Sequence, residues 1–346
     1  MKHIEENIIE KIYTSPLVDF YFHNMSMAAM DIETTGLSAT RNKFILGGLY
    51  DVTCGMLHQY FADNRAEEAV ILDAYMNHLS QFDVIITFNG KHFDMPFLEK
   101  RYEHIHGEKY PGHLPYNLDL YLLLNGHSPI KRFVPNLKQK TVENYMGLWD
   151  KRSDKISGAD SIDMYNDYEK TQSPELARQV LLHNSDDVMQ LVRLTKVLAK
   201  CDIHKGLYKI GFPTGNLTVS DIKIKRDTLI FSGIQRGSIA DDASDCNLDG
   251  HVIDYNCYEL DNWPATISFK GFNRTFEITV PIIRDQGLVV IDLLPTGIDL
   301  TALGNHPTYT DGFLAIESPD GINYLAINHF IKLFMARVDK FIREEL

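Results

Sequence analysis

Asp31-Ile32-Glu33-Thr34-Thr35-Gly36-Leu37, lying directly behind the apolar run Met27-Ala28-Ala29-Met30, is the stretch from which the fold is read. In a β-strand, residues i and i+2 point to the same side, so Asp31 and Glu33 present both carboxylates on one face at a strand's end. Two acids a few ångströms apart repel, and burial raises the pKa of one of them unless a positive charge lies between them. A Mg²⁺ or Mn²⁺ ion supplies such a charge. The same tripeptide also closes many strands without binding anything, so further acids are needed to complete a metal site.

At 346 residues the chain is too long for one average domain and fits two, taking ~150 residues per domain. The expected division is 1–204 and 205–346. Hydrophobic residues at 44% and charged residues at 23% supply an ample core and argue against disorder. The formal net charge of -13 excludes a protein that coats nucleic acid with a general basic surface, while leaving local binding open. Cys54, Cys201, Cys246 and Cys257 show no Cys-x-x-Cys spacing, so neither a zinc knuckle nor a disulfide framework is expected. The N-terminal residues have no basic segment followed by an apolar one, and no run reaches ~18 apolar residues. The expectation is a cytoplasmic protein with no membrane partner.

Ile4, Ile8 and Ile12 at helical spacing predict a short amphipathic lead-in helix. The acid-bearing strand follows, and then strands over Phe44–Tyr50 and Met56–Phe61 joined by a hairpin. Residues 66–80 read as a helix leading into the apolar strand Val84–Phe88. Asn89-Gly90 breaks that strand, and a helix over Phe93–Tyr102 tolerates Pro96 in its first turn. Leu118–Leu124 is a strand or a short helix, since periodicity does not separate them. Asn136–Met146 reads as a helix ended by Gly147, and residues 174–200 as a long helix bearing His183, Asp186 and Asp187. From Lys205 the pattern turns β-rich, with strands expected at Thr228–Ile234, His251–Tyr255, Thr266–Phe269, Arg274–Ile283 and Leu288–Leu293. A helix over Leu325–Ile342 closes the chain, with Ile327, Phe330, Ile331, Phe334, Val338 and Phe341 on one stripe.

Three separated segments now each bring acids: Asp31 and Glu33, then Asp94, then Asp187. Four carboxylates suffice as an inner shell for two hard cations ~3.5–4 Å apart, an arrangement suited to phosphodiester hydrolysis. Taken singly, Asp94 could simply cap a helix, Asp187 could be a solvated helix acid, and His183 an ordinary core histidine.

Together, Asp31–Leu37, Phe88-Asn89-Gly90-Lys91-His92-Phe93-Asp94 and His183-Asn184-Ser185-Asp186-Asp187 resemble the three motifs of DEDD 3′–5′ exonucleases. Thr141–Leu148 and Ile156-Ser157-Gly158 resemble most closely the bacterial YprB-like branch. The resemblance covers about residues 25–200. It implies an α/β, RNase H-like mixed sheet flanked by helices, to which the β-rich pattern after Lys205 adds a smaller β-rich α+β C-terminal domain. It also implies a 3′–5′ exonuclease acting on single-stranded nucleic acid 3′ ends with two divalent cations, Mg²⁺ or Mn²⁺. Asp31, Glu33, Asp94 and Asp187 become the metal ligands. His183 becomes the residue that orients or deprotonates water, although four positions from His183 to Asp187 is the interval of the tyrosine-containing branch. Helix geometry places i and i+4 on one face but leaves Asp186, at i+3, a competing ligand.

Thr34, Gly36 and Leu37 are candidate substrate contacts, Gly36 for close backbone approach and Leu37 as a wedge against the terminal base. The resemblance adds Asn89 and Phe93. Asp119 is read as a strand end outside the site. Lys131, Arg132, Lys138, Lys140, Lys151 and Arg152, with Phe133 and Trp149 among them, form either a path for a single strand or a solvated face. The alternative to an enzyme is a catalytically inactive RNase H-like module that binds nucleic acid or protein. The region from 205 carries no motif, and a protein partner there is a further expectation; Asp241-Asp242 reads as a solvated turn.

Overall fold

The computed structural model describes residues 1–112, 114–153, 158–215, 217–235, 268–272 and 275–345, with backbone alone at 235, 268–272 and 339–345. The chain divides into two compact units, Met1–Cys201 and Asp202–Leu346.

The first unit is built on a six-stranded mixed sheet. Its strands are β1 (Lys2–Asn7), β2 (Met27–Thr34), β3 (Phe44–Asp51), β4 (Met56–Phe61), β5 (Val84–Thr87) and β6 (Tyr116–Asp119), in the spatial order β1-β4-β3-β2-β5-β6. β1 to β4 pair antiparallel, whereas β5 runs parallel to β2 and β6 parallel to β5. The central strand β2 is covered on both faces, which is why Met27 to Met30 read as an unbroken apolar run. Among the described residues the α-helices of the unit are α1 (Pro16–Phe22), α2 (Glu68–Leu79), α3 (Asp94–His106), α4 (Leu120–His127), α5 (Gln139–Tyr145), α6 (Gly158–Thr171) and α7 (Pro174–Leu194).

Gly47 and Gly48 of β3 let helices close on both faces. A Cβ at Gly47 would meet the Tyr75 ring of α2 at 2.6 Å, and one at Gly48 would meet Asn184 Oδ1 of α7 at 2.2 Å. The core therefore has two layers. Phe44, Tyr60, Ile71, Tyr75 and Leu98 lie in one, with Ile45, Leu46, Phe61, Tyr165 and Val180 in the other.

Several local expectations are corrected. Residues 2–7 are an edge strand, because the open edge of β4 satisfies their backbone groups, which a helix this short does poorly alone. Leu118–Leu124 is both alternatives: β6 ends at Asp119, whose side chain caps α4 through the Tyr121 and Leu122 N–H groups. The long helix stops at Leu194 and tightens into a 3₁₀ segment over Thr195–Lys200. Helices α1 and α6 had no sequence expectation.

The second unit carries α8 (Ile203–Ile210), a sheet in the order β10-β11-β9-β8-β7 and a smaller one in the order β12-β13-β15-β14, with β16 on β15. These strands are β7 (Phe212–Thr214), β8 (Leu217–Ile224), β9 (Thr228–Gln235), β10 (Ser268–Phe272), β11 (Thr275–Pro281), β12 (Ile283–Asp285), β13 (Leu288–Asp292), β14 (Tyr309–Thr310), β15 (Phe313–Ser318) and β16 (Gly321–Ile322). The closing helix α9 (Tyr324–Glu345) buries Ile327, Phe330, Ile331, Phe334 and Val338. The strand expected at His251–Tyr255, Thr266-Ile267, Arg274, the pair Asp241-Asp242, Ile156-Ser157, Cys246 and Cys257 lie outside the described residues.

Candidate active site

The carboxyl ends of β2, β5 and β6 lie side by side, and each delivers acid. Asp31 and Glu33 come from β2. Asp94 follows the tight turn after β5, in which Asn89 takes a φ of 67°, and Asp119 ends β6. Helix α7 crosses the sheet and adds His183 and Asp187 from one of its faces.

His183 Nε2 lies 3.6 Å from Glu33 Oε1 and 3.5 Å from Asp187 Oδ2. These three residues can each bring a ligand atom within 4.8 Å of the others. Asp31 is held by the Asn184 amide, which donates to its carbonyl oxygen at 3.1 Å and to Oδ2 at 3.2 Å. Gln59 holds Asn184 in turn, donating from Nε2 to Asn184 Oδ1 at 3.0 Å and to the Leu181 carbonyl at 2.9 Å. Ser161 of α6 donates to Glu33 Oε2 at 3.1 Å.

The electrostatics follow from this crowding. Burial raises the Asp31 carboxyl well above its usual range, the charges of Asp187, Asp94 and Glu33 raise it further, and the Asn184 amide opposes them. Burial likewise pushes Asp94 up to about 7; the charge of Asp119 adds to this, and the backbone N–H groups of Asp94 and Ile32 oppose it. Desolvated carboxylates that repel one another are stabilised by cations placed among them, and an all-oxygen donor set suits hard ones.

Asp186 and Asp187 face different partners. Asp186 accepts from the Ser153 N–H at 2.6 Å. Asp187 accepts from the buried Arg152 guanidinium, while its other oxygen faces His183. Arg152 also makes a two-pronged pair with the buried Glu143 of α5, at 3.0 Å from Nε and 2.9 Å from Nη2. Burial works against the charge on Arg152, but Glu143 and Asp187 outweigh it and keep the guanidinium firmly protonated. Arg152 therefore does not belong with the solvent-facing lysines among which the sequence places it.

The expected substrate residues are spread over two loops. Thr34 Oγ1 donates to the Gly36 carbonyl at 2.9 Å, and Gly36 itself takes a φ of 148°. Thr35 and Asn42 tie the loop shut, through the Thr35 N–H to the Lys43 carbonyl at 2.9 Å and Asn42 Nδ2 to the Thr35 carbonyl at 3.1 Å. This bracing leaves Leu37 84% exposed on a fixed loop. Leu37 and Phe93 line one groove of about 280 Å³, whereas Asn89 turns its side chain to His92 Nδ1 at 3.0 Å.

Asp119, set aside on sequence, is fully buried and organises the neighbouring turn. Its two oxygens accept from the Asn89 and Lys91 N–H groups at 2.9 and 3.1 Å. Gln59, Asn184, Glu143 and Ser161 were likewise not assigned a role on sequence, and Arg152 was read only as part of a basic path or solvated face. The available signals were weak: Asn184 adjoins His183, and Glu143 and Arg152 are opposite charges flanking the Gly147 turn.

Residues 28–199 match the family model RNase_H_2, described as RNase_H superfamily. Over 182 residues the chain is 29% identical to "Uncharacterized protein YprB" of Bacillus subtilis, spanning 50% of this chain and 42% of that protein. The chain thus spans under half of its curated relative. Among solved structures, the family B DNA polymerase of Pyrobaculum calidifontis aligns with a TM-score of 0.41 at 17% identity, over 57% of this chain and 28% of the polymerase.

Proposed function

Because this chain belongs to the RNase H superfamily through residues 28–199 and is YprB-like in sequence, we propose that it is a metal-dependent 3′–5′ exonuclease. It would release nucleoside monophosphates from single-stranded DNA or RNA ends. The observation that carries the reading is the meeting of Glu33, His183 and Asp187, whose ligand atoms lie within 4.8 Å of one another, beside a buried Asp31 carboxyl that the charges of Asp187, Asp94 and Glu33 raise further. Mg²⁺ or Mn²⁺ held by these four acids would neutralise charge on the scissile phosphate and lower the pKa of water.

The chain's own groups account for the rest. His183 Nε2 takes the proton of the attacking water, and the neighbouring Glu33 and Asp187 carboxylates stabilise the imidazolium that results. Asn184 and Gln59 hold Asp31 in place, which lowers the reorganisation the reaction would need. The braced loop presents Leu37 opposite Phe93, where the 3′-terminal base stacks. A wedge at that position favours trimming ends over cutting within a strand. Farther along, Phe133, Lys140, Tyr145 and Trp149 line an open groove of about 530 Å³, which suits stacked bases and phosphates of a single strand.

Digestion of end-labelled oligonucleotides with Mn²⁺, with and without EDTA, tests the proposal. Laddering from the 3′ end should vanish with EDTA and in Asp31→Ala and Asp187→Asn. Wild-type cleavage in either variant would overturn it. Neither cleavage nor calorimetric Mn²⁺ binding by the wild type would instead support a non-catalytic module.

A further inference from the structure

At the far edge of the same sheet, β1 and β4 bring together His3, Glu5 and His58. His3 and Glu5 are two apart on β1 and so share a face, and Glu5 pairs directly with His58 across the ladder. His3 Nε2 is 3.3 Å from His58 Nδ1, Glu5 Oε1 is 3.3 Å from the same His58 nitrogen, and His3 Nε2 is 3.8 Å from Glu5 Oε1. We propose that His3, Glu5 and His58 form a second metal site, for a late first-row transition cation of which Zn²⁺ is the best fit.

The distances carry the argument. Ligands ~2.0–2.1 Å from a tetrahedral zinc are themselves ~3.4 Å apart, by simple geometry on typical zinc bond lengths. The two shorter separations lie at that edge length, and the third exceeds it by a few tenths of an ångström. Read as hydrogen bonds they are poor, since ring N–H donors prefer ~2.7–3.2 Å and His58 Nδ1 cannot donate one proton to both neighbours.

The rings are also held in place. His3 lies flat on Tyr60, with centroids 4.3 Å apart and planes 13° from parallel. His58 packs edge-on against His78 at 4.5 Å, and the His78 Nδ1 meets the Tyr60 hydroxyl at 2.8 Å. Oriented imidazoles backed by further contacts are what a first coordination shell requires. Two imidazoles and one carboxylate favour zinc over magnesium or calcium, and the exposure of His3 and Glu5 leaves a fourth position for water.

This site is separate from the four-acid site. Along β4, Gln59 faces α7 and Asn184, so its neighbours His58 and Tyr60 face the opposite side of the sheet, toward α2. The two sites share no ligand and lie on opposite faces. A cation here would clip the edge strand β1 to β4, which is otherwise held by ladder hydrogen bonds and surface ion pairs.

The test uses the full chain in excess Mg²⁺, titrated with Zn²⁺ by calorimetry and with Co²⁺ by visible absorption. His3→Ala and Glu5→Gln alter exposed side chains and should fold. Each should weaken Zn²⁺ binding by about tenfold or more and abolish the Co²⁺ ligand-field bands, while Asp187→Asn keeps them. Unchanged Zn²⁺ affinity and Co²⁺ bands in both β1 variants would overturn the proposal. So would loss of the bands in Asp187→Asn alone, which would place the ion at the four-acid site.

Discussion

Arg152 shows how one buried charge organises the neighbourhood of the candidate site. Its side chain is 1% exposed, beside Glu143 at 0%, and it reaches Asp187 with the same nitrogen that binds Glu143. Removing one partner of such a pair strands the other in a dry interior and costs ~3–5 kcal/mol. Arg152→Ala should therefore lower stability by about that amount in chemical denaturation, and Arg152→Lys by nearly as much, because an ammonium cannot reproduce the fork. The pair replacement Arg152→Met with Glu143→Leu should recover most of the loss. Asp187 would then be untethered, and weaker Mn²⁺ binding despite restored stability would identify Arg152 as a positioning residue.

Asp94 makes a pH prediction of definite sign. Its folded pKa, about 7, lies above the ordinary carboxyl value. Without metal, the folded chain keeps a proton that the unfolded chain has lost between pH ~4 and ~7, so this group destabilises the fold progressively as pH rises through that window. In EDTA, Asp94→Asn should gain stability relative to wild type between pH 5 and pH 8, by ~2–3 kcal/mol over that range. Mn²⁺ binding to wild type should tighten over the same range, because the ion displaces the proton. A pH-independent difference between the two proteins would show that Asp94 is already ionised at low pH.

At the scale of elements, the approach of α7 to the sheet decides the site. That approach depends on Gly48, whose absent Cβ leaves room for Asn184 and Val188. Gly48→Ala should cost ~1–3 kcal/mol as an overpacked contact. Because Asn184 is the residue displaced, the same change should reduce turnover more than it reduces stability at the working temperature. Gly47→Ala, which presses on Tyr75 across the sheet, should cost stability without that extra loss of turnover. The strands β2 to β5 and the helices α2, α3 and α7 were legible because their apolar spacing extends over enough residues to set a period. Strand β1 was not, since three isoleucines four apart suit a helix until an open strand edge is available. Helix α6 went unread because it is mostly polar, although its buried Ser161, Tyr165 and Tyr168 have helical spacing.

At the scale of the molecule, the exposed aromatics of the first unit are gathered rather than scattered. Phe133 is 67% exposed, Tyr145 47% and Trp149 41%, all lining the groove that includes Lys140. Each stacked base is worth ~1–3 kcal/mol. Two such contacts are lost together, so Phe133→Ala combined with Trp149→Ala should weaken single-stranded oligonucleotide binding by about thirtyfold or more. Fluorescence anisotropy in an Asp187→Asn background with EDTA would measure this without cleavage. Equal affinity in the double variant would leave the groove without a part in binding. Among the described residues, no helix is long and apolar enough to cross a membrane.

The sequence by itself determined the acid-bearing strand, the order of the acid segments and the face shared by His183 and Asp187. These follow from the periods of strand and helix, which act over a few residues. Only the tertiary structure decided which charges meet. Asn184 is 153 positions from Asp31, Arg152 is 35 from Asp187, and His3 is 55 from His58. No local period relates such residues; the pairing of β1 with β4 and the packing of α7 on a glycine-opened sheet bring them together, with burial then setting their charge.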